Sequence, residues 1–201
     1  MKKKSILYPI VFMTILTAVI TMALAFLNES TLATVQENED LALRRKILYV
    51  FNLYDDKTSD DEVIKIFNDR VLEDKNSDGE IIYVLNDGST PVAYAVPFSG
   101  PGLWGSIIGY IGIDSDLSKI TGIEFIVQNE TPGLGGRISE APYKEQFRNV
   151  EISKSSQNYV ISRPAPGGNI DAVAGATQTS TYVQNMVNEG LAKFFSEGGG
   201  N

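Results

Sequence analysis

Residues 80–127 read EIIYVLNDGSTPVAYAVPFSGPGLWGSIIGYIGIDSDLSKITGIEFIV. Four runs rich in Ile, Val, Tyr and Phe stand out: Glu80 to Leu85, Val92 to Pro97, Ser106 to Ile113 and Ile120 to Val127. Each is predicted as a strand, because β-branched and aromatic side chains suit a pleated, half-buried surface. Asn86-Asp87-Gly88 separates the first two runs and Asp114-Ser115-Asp116-Leu117-Ser118 the last two, both turn sequences of hairpin length. Strands joined this closely pair antiparallel, and the helix that would alternate with strands in a parallel sheet is missing. The stretch therefore predicts an α+β domain with a mostly antiparallel sheet.

The flanks supply helices. On the C-terminal side, Ser139 to Phe147 is a short helix candidate started near Pro142, and Tyr159 to Ser162 a short strand. Val183, Val187, Leu191, Phe194 and Phe195 then recur at helical spacing after the Thr-rich stretch Thr177 to Thr181. On the N-terminal side, Ser59 and Glu62 have capping-box spacing ahead of Val63, Ile66, Phe67 and Leu72. From Thr31 to Leu53, Leu41, Leu43, Ile47, Leu48 and Phe51 alternate with charged residues as in an amphipathic helix.

From Ile6 to Leu27 no residue is charged, and roughly 22 helical residues rise about 33 Å, close to the hydrocarbon thickness of a bilayer. A transmembrane helix is expected. Lys2, Lys3 and Lys4 precede the run and all 25 acidic residues follow it, so the positive-inside rule keeps the N-terminus cytoplasmic and sends the rest across. The alternative is a signal peptide cleaved after Ala23-Leu24-Ala25, although the run exceeds the roughly 7–15 residues of a signal core. The expected organisation is an anchor over 1–27, a helical spacer and flank over 28–79, one binding domain over 80–197 and a frayed tail over 198–201.

Composition narrows the function. A formal net charge of −8 and a pI near 4.6 disfavour a nucleic-acid partner. Cys and His are both absent, which removes disulfides, cysteine-held clusters, c-type haem, ordinary zinc sites and the usual general base near neutral pH. No catalytic residue and no metal site is expected. Redox chemistry would have to reside on an organic cofactor.

Three glycine-rich segments then need an explanation. SGPGLWG (99–105) and ETPGLGG (130–136) set Leu or Trp among glycines and prolines, so they can hold an apolar side chain against a flat ligand or form tight loops with a buried plug. DAVAGATQTS (171–180) precedes the last helix. Gly175 and Ala176 leave little bulk beside Thr177, and a phosphate there would meet free N–H groups at a helix N-terminus. Thr177 as a plain N-cap is the other reading of the residues.

In this order and behind an anchor, the three segments resemble two related FMN-binding proteins, the C subunit of the sodium-translocating NADH:quinone oxidoreductase (Nqr) and the G subunit of the Rnf complex. DAVAGATQT is similar to the family pattern of Asp, two residues, Ser or Thr, Gly-Ala-Thr, one residue, then Ser or Thr. The resemblance implies FMN esterified through its phosphate to Thr177, with Asp171, Gly175, Ala176 and Thr179 matching the motif. Ala174 departs from it. Glu130, Thr131 and Leu134 are implied flavin neighbours, and Trp104 by its similar loop.

Gln36 to Leu53 and SGPGLWGSIIGYIGID look more like the Nqr protein than the Rnf one. The resemblance implies an electron carrier without independent catalysis inside a Na+- or H+-translocating oxidoreductase, NADH:quinone or ferredoxin:NAD in type, at the bacterial inner membrane. Its implied partners are the other subunits, membrane lipid and a flavin transferase for maturation. A membrane-tethered, non-redox flavin-binding or sensory domain is the competing class, since a shared scaffold does not fix function. A flavin-linked extracytoplasmic reductase acting on its own substrate is a third. The topology makes a direct prediction: a reporter that is active only outside the cytoplasm should work when fused after Asn201, and one active only inside should not.

Overall fold

A computed structural model describes residues 7–55, 57–152 and 158–199. Lys2, Lys3 and Lys4, Ile6 and the last two residues of the expected tail lie outside the described residues. The chain divides into two units, Met1–Ala42 and Leu43–Asn201.

The first unit holds most of α1 (Leu7–Val50), one continuous helix that joins the apolar run to the expected amphipathic helix without a break. It is the one helix among the described residues long and apolar enough to cross a membrane, with a mean hydropathy of 2.6 over its most apolar window and none of that window buried. Large side chains such as Ile15, Val19, Met22 and Phe26 stand out from it, exposed. That pattern suits a helix solvated by lipid on every side.

The second unit is built on a five-stranded antiparallel sheet in plain meander order: β1 (Val71–Lys75), β2 (Ile81–Asp87), β3 (Thr90–Pro101), β4 (Ser106–Asp114) and β5 (Ile120–Val127). The four predicted strands are β2 to β5. The β2–β3 turn closes on the Asp87↔Thr90 pair, with Gly88 at φ +62°, a backbone conformation glycine adopts without steric cost. In the β4–β5 turn the Asp114 carboxyl accepts the Ser118 and Lys119 N–H groups at 2.7 and 3.1 Å. β3 runs four residues beyond its predicted end, through Ser99-Gly100-Pro101, and pairs with β4 as far as Pro101↔Ser106. The SGPGLWG segment is thus the tip of a hairpin.

β1 differs from expectation, because the apolar spacing of the preceding helix takes in Leu72, which the structure places in a strand. Helix α2 (Asp60–Arg70) carries the capping box of Ser59 and Glu62 and ends at Arg70, and the chain passes straight into β1. Only Val71 of β1 is buried, and Leu-Glu-Asp-Lys follows at an exposed sheet edge. Such an edge shows no alternation for a periodicity reading to detect.

Both faces of the sheet are covered. On one, Phe67 of α2, Tyr83 and Tyr110 stack edge to face at 5.9 and 5.2 Å between centroids. On the other lies the main core, where Val183, Met186, Val187, Leu191 and Phe194 of α4 (Thr177–Ser196) meet Val96, Phe98, Ile107 and Ile111. α4 crosses β3 closely: a Cβ at Gly190 would sit 2.9 Å from the Pro97 carbonyl oxygen, and one at Gly100 would sit 2.7 Å from Met186 Sδ.

The expected helix over Ser139–Phe147 is α3 (Ala141–Lys144) between two 3-10 turns, Gly135–Ser139 and Glu145–Phe147. The expected strand at Tyr159–Ser162 shrinks to β6 (Ser162–Arg163), which pairs parallel with β7 (Ile170–Asp171). Tyr159 and Val160 instead donate their N–H groups to Asn188 of α4, both at 2.9 Å. A side chain thereby takes the place of a partner strand.

The Lys144 ammonium meets the Glu124 carboxyl at 2.5 Å with side chains only 12% and 10% exposed, and it lies 4.2 Å from the Tyr49 ring centre. Removing one partner leaves the other charge buried and uncompensated. Glu124→Ala should therefore destabilise the domain by about 3–5 kcal/mol, whereas Glu140→Ala in the exposed Arg137 pair should cost under about 1 kcal/mol. Urea denaturation followed by circular dichroism checks both.

Candidate functional site

The three glycine-rich segments converge at one end of the sheet. The hairpin tip Gly102–Gly105 projects beyond β3 and β4, the chain leaving β5 turns through Glu130–Gly136, and Gly175-Ala176 lead into α4. Between them lies a cavity of about 510 Å³, lined by Leu103, Trp104, Glu130, Thr131, Leu134, Gly135 and residues Gly175 to Thr179. Its size falls within the roughly 300–1,000 Å³ typical of cofactor sites. A hollow of about 830 Å³ at the other end of α4, among Leu72, Ile82, Tyr94 and Phe194, touches none of the predicted residues.

The cavity is apolar at its mouth and polar at its base. Trp104, Leu103 and Leu134 are 70%, 48% and 47% exposed, an unusual amount of large apolar surface to leave in water around one opening. Leu134 follows Gly133 at φ +74°, and its amide bonds back to the Thr131 carbonyl at 3.1 Å, so a tight turn carries it. A Cβ at Gly175 would sit 3.3 Å from Leu134 Cδ2, and Gly175 itself has φ +81°. The glycine thus lets the third segment approach the second closely.

At the base stands Glu130, only 5% exposed. Its Oε1 accepts the N–H groups of Leu103 at 2.8 Å and Trp104 at 3.1 Å, and its Oε2 accepts the Thr179 hydroxyl at 2.6 Å. Gly102 and Gly135 fit around this carboxyl. A Cβ on either would come within 2.7 or 2.6 Å of one of its oxygens.

Thr177 is the first residue of α4, and the cap residue is Ala176, whose side chain offers no hydrogen bond. The N-cap reading of Thr177 is thus replaced by a position inside the first turn. The first helical bond runs from Ser180 N–H to the Ala176 carbonyl, so the amides before it have no partner within the helix. Four hydroxyls occupy this turn. Thr179 bonds Glu130, Ser180 bonds the Ala176 carbonyl while accepting the Val173 N–H, and Thr181 bonds the Thr177 carbonyl. Among the described residues Thr177 alone of the four has no hydrogen-bond partner for its hydroxyl, and it is exposed to the cavity.

Of the residues singled out in the sequence, Thr177, Gly175, Ala176, Thr179, Glu130, Thr131, Leu134 and Trp104 all border this cavity. Asp171 does not. It pairs with Arg163 at 2.8 Å and borders a separate hollow with Ala174, Arg137 and Gln146. Ala174, which departs from the motif, directly precedes Gly175 but does not itself line the cavity. Tyr143 also borders that hollow, and burial raises the pKa of its phenol well above the ordinary value, so it stays protonated. Sequence reasoning missed Leu103, Gly135 and Gln178 as lining residues. Leu103 stands next to Trp104 in the same loop, which was the available signal.

A family model described as an FMN-binding domain matches residues 102–192. NqrC of Pasteurella multocida (strain Pm70), the C subunit of its Na(+)-translocating NADH-quinone reductase, is 34% identical over 105 residues, 49% of this chain and 40% of that protein. Its counterpart in Vibrio anguillarum is 32% identical over 96 residues, 45% of this chain and 38% of its own. The chain thus matches about two fifths of the length of these relatives. The crystal structure of NqrC from Parabacteroides distasonis ATCC 8503 superposes with a TM-score of 0.66 at 28% identity, covering 81% of this chain and 94% of that one. NqrC from Shewanella oneidensis, at 19% identity and a TM-score of 0.67, shares the fold. Residues 102–192 thus match the pattern of an FMN-binding domain, and the chain resembles the NqrC proteins of the Na(+)-translocating NADH-quinone reductases in sequence and in fold.

Proposed function

We propose that the chain is an electron-transfer subunit of a Na(+)-translocating NADH-quinone reductase and carries FMN covalently on Thr177, outside a bacterial cytoplasmic membrane into which α1 anchors it. The observation that carries the reading is the state of Thr177: an unpartnered hydroxyl at the uncapped start of a 20-residue helix, facing a cavity with an apolar mouth. The relatives named above are NqrC proteins of this complex, which supports it over an Rnf-type assembly.

The residues present fit the cofactor. A phosphate ester on Thr177 would lie beside the free first-turn amides and the positive end of the helix dipole, both favourable to an anion. Trp104, Leu103 and Leu134 offer rigid apolar surface to a planar ring and keep water from it. Thr131 adds an exposed side chain at the same mouth. When bound, the flavin supplies electron transfer, and the protein orients it and sets its surroundings. Attachment balances as a transfer from FAD by a separate enzyme: the Thr177 oxygen forms a bond to the FMN phosphorus, the diphosphate bond breaks, and AMP leaves with the hydroxyl proton passing to solvent.

Two experiments test this. After co-expression with a flavin transferase, the wild-type peptide spanning Thr177 should gain the mass of FMN less water. The Thr177→Ala peptide should not, and Thr181→Ala, which changes a hydroxyl bonded on the outer face, should keep it. Flavin on the Thr177→Ala peptide, or none on the wild type, would sink the assignment. In the loaded protein, Trp104→Ala and Leu134→Gln should leave the bond intact and move the flavin potential by roughly 30 mV, about 1.4 kcal/mol for two electrons. Redox titration followed by absorbance measures this shift, and unchanged potentials and spectra in both variants would make these loops structural only.

A further inference from the structure

We infer that Glu130 is the positioning residue of the cavity: its carboxyl ties the Trp104 hairpin tip to the first turn of α4, so that the apolar mouth and Thr177 are held at a fixed spacing. The inference rests on the proposed attachment of FMN to Thr177 and assigns Glu130 a part other than touching the flavin.

The geometry argues for a strut. The two carboxyl oxygens are divided between two elements that are far apart in sequence, Oε1 taking both amides of the hairpin tip and Oε2 taking the Thr179 hydroxyl. The hairpin tip closes on itself through the Gly102 N–H and Gly105 carbonyl at 2.7 Å, and the two amides between them take the Glu130 carboxyl as their acceptor. Thr179 is 1% exposed, and without that carboxyl its hydroxyl would also lose its partner. Polar groups buried in this way are costly to leave unpaired, and hydrogen bonds that satisfy several of them at once rigidify what they join.

The surroundings leave the carboxyl no slack. Its backbone N–H bonds the Gln128 side chain at 2.9 Å, and Gly102 and Gly135 have no Cβ where one would press on its oxygens. Thr179 lies two residues along α4 from Thr177. A shift of Thr179 therefore moves the first turn of the helix and, with it, the hydroxyl that must meet the incoming phosphorus. Thr179 and Thr181, both hydroxyl residues of this turn, differ sharply here: one is held by the strut, and the other bonds its own helix at the surface.

Trp104 is the only tryptophan in the chain, which gives the hairpin tip its own optical signal. The test uses the full-length chain in detergent and measures two quantities: the time-resolved fluorescence anisotropy of Trp104 before any flavin is attached, and the rate at which a flavin transferase loads Thr177 from FAD. Thr179→Val keeps the side-chain shape and removes the hydroxyl. It should lower the residual anisotropy of Trp104, with which Thr179 has no hydrogen bond of its own. It should also slow loading by about tenfold to a hundredfold, the scale that a misplacement of about 1 Å can produce.

Glu130→Ala should do the same more strongly. Glu130→Gln should restore much of both, because its carbonyl can accept the two amides while its NH₂ donates to Thr179. Thr181→Val should change neither quantity, and far-UV circular dichroism separates a local effect from unfolding should Glu130→Ala fail to fold. Unchanged Trp104 anisotropy in Thr179→Val, or loading at the wild-type rate, overturns the inference. Wild-type protein that takes no flavin at Thr177 sinks the functional reading instead, and the anisotropy arm then decides by itself whether Glu130 ties the two elements.

Discussion

A single buried carboxyl joins the segments that sequence alone leaves as three separate glycine-rich loops. Glu130 sits where β5 ends, yet it bonds the hairpin tip some 27 residues earlier and α4 some 49 residues later. Each glycine closest to it, Gly102 and Gly135, owes its place to the lack of room for a Cβ beside that group. The rest of the site depends on this junction, because the backbone bonds within each glycine-rich loop shape that loop alone and do not fix one loop against another. Rigid elements stand behind the junction. The tip continues two paired strands, and the Thr177 turn begins a helix whose far side is buried in the main core.

The sheet serves the site by geometry more than by contact. A meander of five strands brings the β3–β4 connection and the exit of β5 to the same end, and α4 crosses β3 so that its N-terminus arrives there as well. Gly100 and Gly190 permit that crossing at close range. The opposite edge of the sheet, β1, is short and charged, which discourages association with another strand. β5 is protected differently: Lys46 donates to the Phe125 and Ile126 carbonyls at 2.9 and 3.3 Å, and Arg148 to the Thr121 carbonyl at 2.6 Å. The site-bearing end is thus left open, while one edge is guarded by charge and the other by side-chain donors.

What the sequence revealed follows from the range of the forces involved. The strands β2 to β5, the capping box at Ser59 and the last helix rest on local pattern, and all are legible because alternation, turn chemistry and helical spacing act over a few residues. β1 reads as helix in the sequence because its one buried residue, Val71, gives no alternation. The Tyr159 strand is over-read because Asn188, 29 residues away, supplies the hydrogen bonds a partner strand would have given. At the site, the motifs gather eight of nine singled-out residues around one cavity, while Asp171 turns outward into an ion pair with Arg163. The sequence pattern singles out Thr177 from Thr179 but does not show how their hydroxyls differ in the folded chain. The difference is that one hydroxyl is bonded to a buried carboxyl and the other to nothing among the described residues.

That difference bears on how one threonine among several could be modified without a nucleophile of unusual acidity. Ser180 and Thr181 have hydroxyls that donate to helix carbonyls and Thr179 has one that donates to Glu130, so each of these oxygens is held in place by a partner of its own. Thr179 and Ser180 are in addition buried. Thr177 meets neither obstacle, and the uncapped amides beside it favour the charge that a phosphate would bring. Selectivity on the proposed reading is therefore negative as much as positive: the fold occupies the competing hydroxyls and leaves one free beside first-turn amides that have no partner within the helix. A chain without His or Cys needs no more than this, since on that reading the activation of the phosphate belongs to the transferring enzyme, and the protein has only to present the right oxygen.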